Sequence, residues 1–289
     1  MTRRYVVNGE VVPADEAVVN VRDRGFLYGD GAFETMRVYG GSVFAWDAHL
    51  DRLDRTCEIL SMDHGIERDQ LHEWVHLALE ANEVSEAAVR LSITRGVQPG
   101  KLTPATTVDP TVVVIVRPLE RGGTQGTSTW SDPAQVRMVE VAKIPDEALP
   151  ARAKTHNYLN GILARLELEE GDDEALLCDL EGNLMEGTTS NVFVVDDGTI
   201  FTPSTAGPVL PGITRETVID LAETLEISLE ETTLTPKALF TADEAFLTNS
   251  TKEIWPIGTV DGQEIGGGPI TEDLQTSFNE RIESQHYNG

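Results

Sequence analysis

Only five lysines occur among the 289 residues, and one of them, Lys154, opens the stretch "ARAKTHNYLNGILARLELEE" at residues 151–170. Leu159, Ile162, Leu163 and Leu166 recur at helical spacing. That pattern predicts an amphipathic helix with an inward apolar stripe and Lys154 just before its first turn. An amine desolvated near a helix N-terminus loses proton affinity, and a neutral amine is what Schiff-base chemistry requires. A solvated surface lysine would share the same local sequence.

Four further stretches carry groups of complementary chemistry. In "VLPGITRETVIDLA", residues 209–222, Pro211-Gly212 makes a turn and Thr214 is a plausible N-cap. The free N–H groups of Ile213 and Thr214 with the Thr214 hydroxyl form a ready anion site, although a merely capped helix reads alike. In "CDLEGNLMEGTTSNVFVV", Glu186 stands between two strands, where a carboxylate could face a cationic ring nitrogen or simply be a loop acid. In "HLDRL", Arg52 follows His49 on a helix and could make a forked contact to a phosphate or pair with a carboxylate, and His49 reads as structural. In "FLTNSTKEIWPI", a strand ends at Asn249-Ser250-Thr251, a cluster of hydroxyls and loop amides or an ordinary turn.

The elements that must position these groups alternate along the chain. Asn-Gly in "YVVNGEVV" and Gly40-Gly41 in "FETMRVYGGSVFAW" signal two hairpins. Helices are predicted over 47–62 and 67–82, and strands in "AAVRLSITRG" and "PTVVVIVRPL". The Gly/Ser/Thr/Pro-rich "ERGGTQGTSTWSDP" reads as a linker, giving a small domain over 1–119, a linker over 120–133 and a larger domain over 134–289. The larger domain is predicted to hold strands over 135–143 and near 174–179, 184–186, 190–195, 227–233, 243–248 and 256–261, with a helix from about Thr214.

A formal charge of −27, from 49 acidic against 22 basic residues, repels phosphate backbones and anionic membranes, so neither nucleic acid nor membrane is an expected partner. The acid is spread through periodic segments, as in proteins of salt-loaded cytoplasms. A halophilic source is therefore expected, and stability that failed to rise between low and molar KCl would count against it. No run of eighteen apolar residues and no leader pattern at "MTRRYVVNGE" occur, so a cytoplasmic protein is expected. Cys57 and Cys178 lie 121 residues apart without partners at metal spacing, and read as reduced structural thiols with no metal site.

Taken together, "RGFLYGDGAFETMRVYGG", "HLDRL", "RLSITRG", "KTHNYLN", "EALLCDLEGNLMEGTTSNVFVV", "LPGITRE" and "EAFLTNSTKEI" resemble the class IV, fold-type-IV family of pyridoxal-phosphate enzymes over nearly the whole chain. That family holds branched-chain and D-amino acid aminotransferases and aminodeoxychorismate lyase. The resemblance implies a mixed α/β fold: a small N-terminal α/β domain and a larger α/β domain with a barrel-like sheet. It makes Lys154 the Schiff-base lysine and Glu186 the partner of the pyridine nitrogen. It assigns Arg52, Ile213, Thr214 and Ser250 to the cofactor phosphate, Leu210 to packing on the ring and Tyr158 to the ring hydroxyl. Lys-x-x-Asn in "KTHNYLN" is the spacing of the lyase and D-amino acid branches, which gives Asn157 comparable weight.

Within the family, the Arg and His carboxylate trap of the D-amino acid enzymes is missing from "RGVQPGKL", residues 95–102. Arg90 or Arg37 is then the candidate for a substrate carboxylate, with the Ser250–Thr251 amides as second choice and Phe33 nearby in the motif. A structural ion pair is the alternative for either arginine. The favoured function is amino-group transfer between an α-amino acid, branched-chain or similar, and a 2-oxo acid. The lyase that releases pyruvate on the way to 4-aminobenzoate is the alternative, with a D-amino acid enzyme or a catalytically silent homologue behind it. The resemblance also implies a homodimer whose partner completes each site from around Tyr28–Phe33.

Overall fold

Asn8 and Gly9 both adopt the left-handed region, φ 49° and 84°, and join strand β1 (Arg4–Val7) to β2 (Glu10–Pro13) with Val7 opposite Glu10. Gly40 and Gly41 turn in the same way between β3 (Gly31–Tyr39) and β4 (Ser42–Val43). Both are the two-residue hairpins predicted, because two consecutive positive φ angles match the twist of the flanking strands.

The structure, a computed structural model, describes residues 3–121 and 132–287. The predicted linker lies largely outside the described residues. The chain divides into two compact units, one of residues 1–120 with 153–157 and the other of 121–152 with 158–289. The Lys154 segment thus belongs with the N-terminal unit, whereas its position in sequence put it in the larger domain.

In the first unit, β5 (Ala87–Thr94) and β6 (Thr111–Pro118) complete a six-stranded antiparallel sheet of order β2-β1-β6-β5-β3-β4. Helices α2 (Trp46–Ile59) and α3 (Arg68–Asn82) close one core against it, where Leu50, Leu53 and Val75 meet Met36, Leu91 and Val114. Each such side chain contributes about 1.5–3 kcal/mol of burial. A five-residue helix, α1 (Arg24–Tyr28), precedes β3. The Asp23 carboxylate caps it by accepting the Gly25 N–H at 2.7 Å, and Gly29 ends it at φ 68°. Asp30 then accepts from Arg24 and Arg95 at 2.7 and 2.9 Å, which ties this loop to the end of β5.

The second unit carries β7 (Ala134–Met138), β8 (Glu174–Cys178), β9 (Leu184–Gly187), β10 (Asn191–Asp196), β11 (Thr199–Pro203), β12 (Leu229–Thr232), β13 (Glu244–Asn249), β14 (Glu253–Val260) and β15 (Gln263–Glu264). Eight of them run in the order β12-β11-β10-β13-β14-β7-β8-β9, and β15 pairs with β14. The Leu184 N–H of β9 donates to the Leu234 carbonyl just beyond β12 at 2.8 Å, so the two ends of this sheet curl toward each other as an open barrel. Helices α4 (Leu159–Arg165), α5 (Ile213–Thr224), α6 (Pro236–Phe240) and α7 (Pro269–His286) accompany it. Among the described residues no helix is long and apolar enough to cross a membrane.

Three differences from the sequence reading have physical causes. The helix after Lys154 begins only at Leu159, because residues 153–157 are taken up by pairing with β3, and Lys154 gains nothing from a helix terminus. Its apolar stripe faces outward: Leu159, Ile162, Leu163 and Leu166 are 65%, 54%, 46% and 75% exposed. Helix α7 was not predicted, since its stripe of Leu274, Phe278 and Ile282 repeats only every four residues within a strongly polar sequence.

Candidate active site

Residues 153–157 of the first unit lie along the open edge of β3. The Phe33 N–H donates to the Lys154 carbonyl at 3.1 Å and the His156 N–H to the Gly31 carbonyl at 3.0 Å, with Thr155 opposite Ala32. The Lys154 N–H in turn donates to Thr56 Oγ1 at 3.0 Å. Two elements distant in sequence therefore fix the backbone that carries the amine. Lys154 Nζ lies 4.7 Å from the centroid of the Phe33 ring, and Arg90 Cζ lies 3.5 Å from the same centroid. Phe33 thus brings Lys154 and Arg90 together, and Arg90 Nε donates to Ser92 Oγ at 3.2 Å.

One turn before Thr56 on α2, Arg52 is gripped by Glu34. Its Nε donates to Oε1 at 2.8 Å and its Nη2 to Oε2 at 2.6 Å, while His49 Nδ1 lies 2.7 Å from Oε2. All three side chains are buried. Burial would raise the Glu34 carboxyl, but the Arg52 charge and hydrogen bonds, with His49, hold it down at about 2. Burial lowers His49 despite that carboxylate, so Glu34 is the ionised partner of Arg52 and His49 a neutral donor. Thr56 Oγ1–H donates to the Arg52 carbonyl at 2.9 Å, so the buried triad and the Lys154 backbone meet at one hydroxyl. Thr56→Val keeps the volume and removes that hydroxyl. A loss of about 1–3 kcal/mol on urea unfolding is expected from the unmet Lys154 amide, and an unchanged midpoint would show the contact to be idle.

In the second unit, Glu186 on β9 is buried. Its Oε2 accepts the Leu210 N–H at 2.9 Å and Asn191 Nδ2 at 3.3 Å, and the Lys143 ammonium donates to Oε1. Burial disfavours charge on Lys143, yet Glu186 and then Tyr158 raise its pKa, so Lys143 is held as the ammonium. Asn191 also donates to the Leu210 carbonyl at 2.9 Å, and a Cβ at Gly212 would lie 2.1 Å from Asn191 Oδ1. Residue 212 must therefore be glycine for the turn into α5 to approach β10 this closely. No side chain caps α5, which leaves the first-turn amides of Ile213 and Thr214 oriented as an anion site.

The other expected residues are placed less favourably. Arg37 is buried against Tyr39, donates to the Leu119 carbonyl and lies 3.6 Å from Glu86, the structural ion pair that was its alternative reading. The Thr251 N–H and hydroxyl both donate to Asn249 Oδ1, at 3.0 and 3.1 Å, which is the ordinary turn that the sequence left open for residues 249–252. Ser250 lies within that turn and is half-buried. Tyr158 is the N-cap residue of α4. Asn157 Nδ2 donates to the Gly29 carbonyl at 3.2 Å, holding the end of α1. Burial pushes the Cys57 thiol up to about 12, which makes it an inert core residue.

Sequence reasoning missed Glu34, Thr56, Lys143 and Asn191, and it missed Glu174. Buried Glu174 accepts from Thr189 Oγ1 at 2.8 Å, Ser190 Oγ at 3.2 Å and Arg165 Nη2 at 3.0 Å. The small-polar run after Glu186 is folded around that carboxylate. Glu34 had a legible signal, an acid in the middle of the strand sequence GAFETMRVY.

A lysine held over an aromatic ring, and a buried carboxylate beside an uncapped helix start, are the parts of an enzyme that works on small charged molecules. Residues 31–260 match the amino-transferase class IV family, and the chain belongs to it. A protein of Methanocaldococcus jannaschii provisionally named a branched-chain-amino-acid aminotransferase is 36% identical over 279 residues, covering 95% of each chain. The aminodeoxychorismate lyase of Bacillus subtilis is 31% identical, over 96% of this chain and 94% of its own. The solved branched-chain aminotransferase of Thermoproteus uzoniensis superposes with a TM-score of 0.90 at 28% identity, covering 100% of this chain and 97% of that one.

Proposed function

We propose that the protein transfers an amino group between a branched-chain or similar α-amino acid and a 2-oxo acid, with pyridoxal 5'-phosphate as cofactor. The observation that carries this reading is the Glu186 site, a buried carboxylate fixed by Leu210 and Asn191 next to the uncapped start of α5. Its chemistry fits that cofactor, which has a basic ring nitrogen at one end and a phosphate at the other. When bound, the cofactor supplies an electron sink that lets a proton leave the amino acid Cα.

This chain's residues divide the remaining tasks. Glu186 holds a proton on the ring nitrogen, and the Lys143 ammonium already donates to its other oxygen. Ile213 and Thr214 amides hold the phosphate. Arg52, positioned by Glu34, assists them, and Ser250 is a further donor. Leu210 packs on the ring, and Tyr158 donates to or accepts from its hydroxyl. Lys154 Nζ takes the Cα proton and returns it, while Arg90 holds the substrate carboxylate beside Phe33. A coupled assay tests the reading: 2-oxo acid should form from L-leucine or L-glutamate. Pyruvate release from aminodeoxychorismate as the only activity would establish the second reading, which the similarity to the B. subtilis lyase supports.

The outward stripe of α4 and the exposed Phe26, 72% accessible, support a homodimer, because a second copy of this chain would bury both. Ile162→Asp with Leu166→Asp should shift sedimentation from two copies to one, and a dimer unaffected by both would place the contact elsewhere. The net charge of −27 supports a cytoplasm rich in salt as the working environment.

A further inference from the structure

Helix α3 turns two imidazoles onto one face. His72 and His76 stand one turn apart, and their Nε2 atoms lie 3.1 Å from each other. The ring centroids are farther apart, at 4.3 Å, so the rings approach by these nitrogens rather than by their faces. His72 is exposed to solvent and His76 half-buried. Trp46, which opens α2, packs edge-on against His72 with centroids 5.0 Å apart and limits where that ring can swing. Burial first, and the His76 ring second, hold His72 below its usual 6.5 against the charges of Asp69 and Asp47, so His72 is neutral at pH 7 and its nitrogens can ligate.

Two neutral imidazoles in contact share one proton, and at a position open to water that hydrogen bond competes with solvent and contributes little. A divalent ion can replace it. Metal–imidazole bonds of about 2.1 Å set at a right angle hold their nitrogens about 3.0 Å apart, and at the tetrahedral angle about 3.4 Å. The 3.1 Å spacing therefore suits neighbouring positions of a square or octahedral ion, copper(II) or nickel(II), better than zinc(II). Among the described residues no group of three or more His, Cys, Asp or Glu could hold a metal, so water fills the remaining positions and the ion exchanges with solvent.

We propose that His72 and His76 form a two-nitrogen site for a divalent transition ion, copper(II) or nickel(II), made of residues that take no part in amino-group transfer. The imidazole that holds the shared proton on Nε2 carries it on Nδ1 once the ion is bound, so the protons balance. The two nitrogens are held together by the helix and not by the unfolded chain, so a bound ion stabilises the folded state by mass action.

Cofactor-loaded protein titrated with nickel(II) chloride should bind it at a single site, with excess magnesium(II) present to occupy the general attraction of a surface of charge −27. Saturating nickel(II) should raise the thermal midpoint by a few degrees. His72→Asn and His76→Asn should each weaken binding about tenfold or more and lose that rise. Copper(II) should show electron paramagnetic coupling to two nitrogens and quench tryptophan fluorescence, less so in Trp46→Phe. The metal-free thermal midpoint checks that the variants are folded; if one histidine variant fails there, the other and the nitrogen count in the wild type decide. No binding above the magnesium(II) background, binding unchanged in both histidine variants, or a copper(II) signal with oxygen ligands alone overturns the inference.

Discussion

Lys154→Ala is expected to abolish amino-group transfer while leaving the fold in place. The backbone contacts to Phe33 and Thr56 do not involve the amine, so alanine retains them. On the proposed reading the variant gives up the amine that attaches the cofactor and carries the Cα proton. Positioned proton transfer alone contributes about 10²–10⁴-fold, so turnover should fall by at least about 10³-fold. The visible absorbance of the cofactor-loaded protein should vanish with it, and the thermal midpoint should move by only a few degrees. A variant that kept a tenth of the activity and its visible band would assign the chemistry to another lysine, with Lys143 the first to test because it already lies beside Glu186.

The largest effect on stability is expected at Glu34. Glu34→Gln takes from the buried Arg52 guanidinium the carboxylate that grips it, and breaking such a pair from one side costs about 3–5 kcal/mol. The wild type should show the same interaction as acid sensitivity. Glu34 titrates at about 2 in the fold against a usual 4.5. A depressed carboxyl gives stability that is fully present above pH 4.5 and is lost as the pH falls toward 2, about 3 kcal/mol for a shift of this size. His49, buried and lowered from its usual 6.5, acts in the same direction from a higher pH, since the unfolded chain takes up its proton first. Urea unfolding measured from pH 7 to 3 should therefore fall in the wild type and fall less steeply in Glu34→Gln. Matching curves for the two proteins would mean that the triad carries no net stability.

The hairpins, α2, α3 and the strands of the first sheet were legible because local rules set them: Asn-Gly and Gly-Gly turns, three- and four-residue apolar spacing and β-branched runs. The segment after Lys154 was misread because the same spacing serves two purposes. Leu159, Ile162, Leu163 and Leu166 have the helical period, but the period does not say whether the facing surface is this chain's own core or a partner. The site residues were legible as types and not as geometry. Arg52 reads as a phosphate binder or half of an ion pair, and only the approach of β3 places Glu34 on two of its donors. Thr56 and Lys143 act through contacts between segments far apart in sequence, and Asn191 and Glu174 through contacts across neighbouring strands and turns, which no local pattern encodes.

The pairing of residues 153–157 with β3 bears on the order in which the molecule can be made. Lys154 meets Phe33 across more than a hundred residues of chain, and the residues on both sides of the segment belong to the second unit. An N-terminal unit emerging first from synthesis would collapse around its sheet with the edge of β3 still unpaired, a template for unwanted strand addition. It is completed only when a short stretch of later chain returns to it, at the entropic cost of closing a long loop. Lys154 is therefore put in place only after the sheet that receives it can form, and not in that sheet's first collapse.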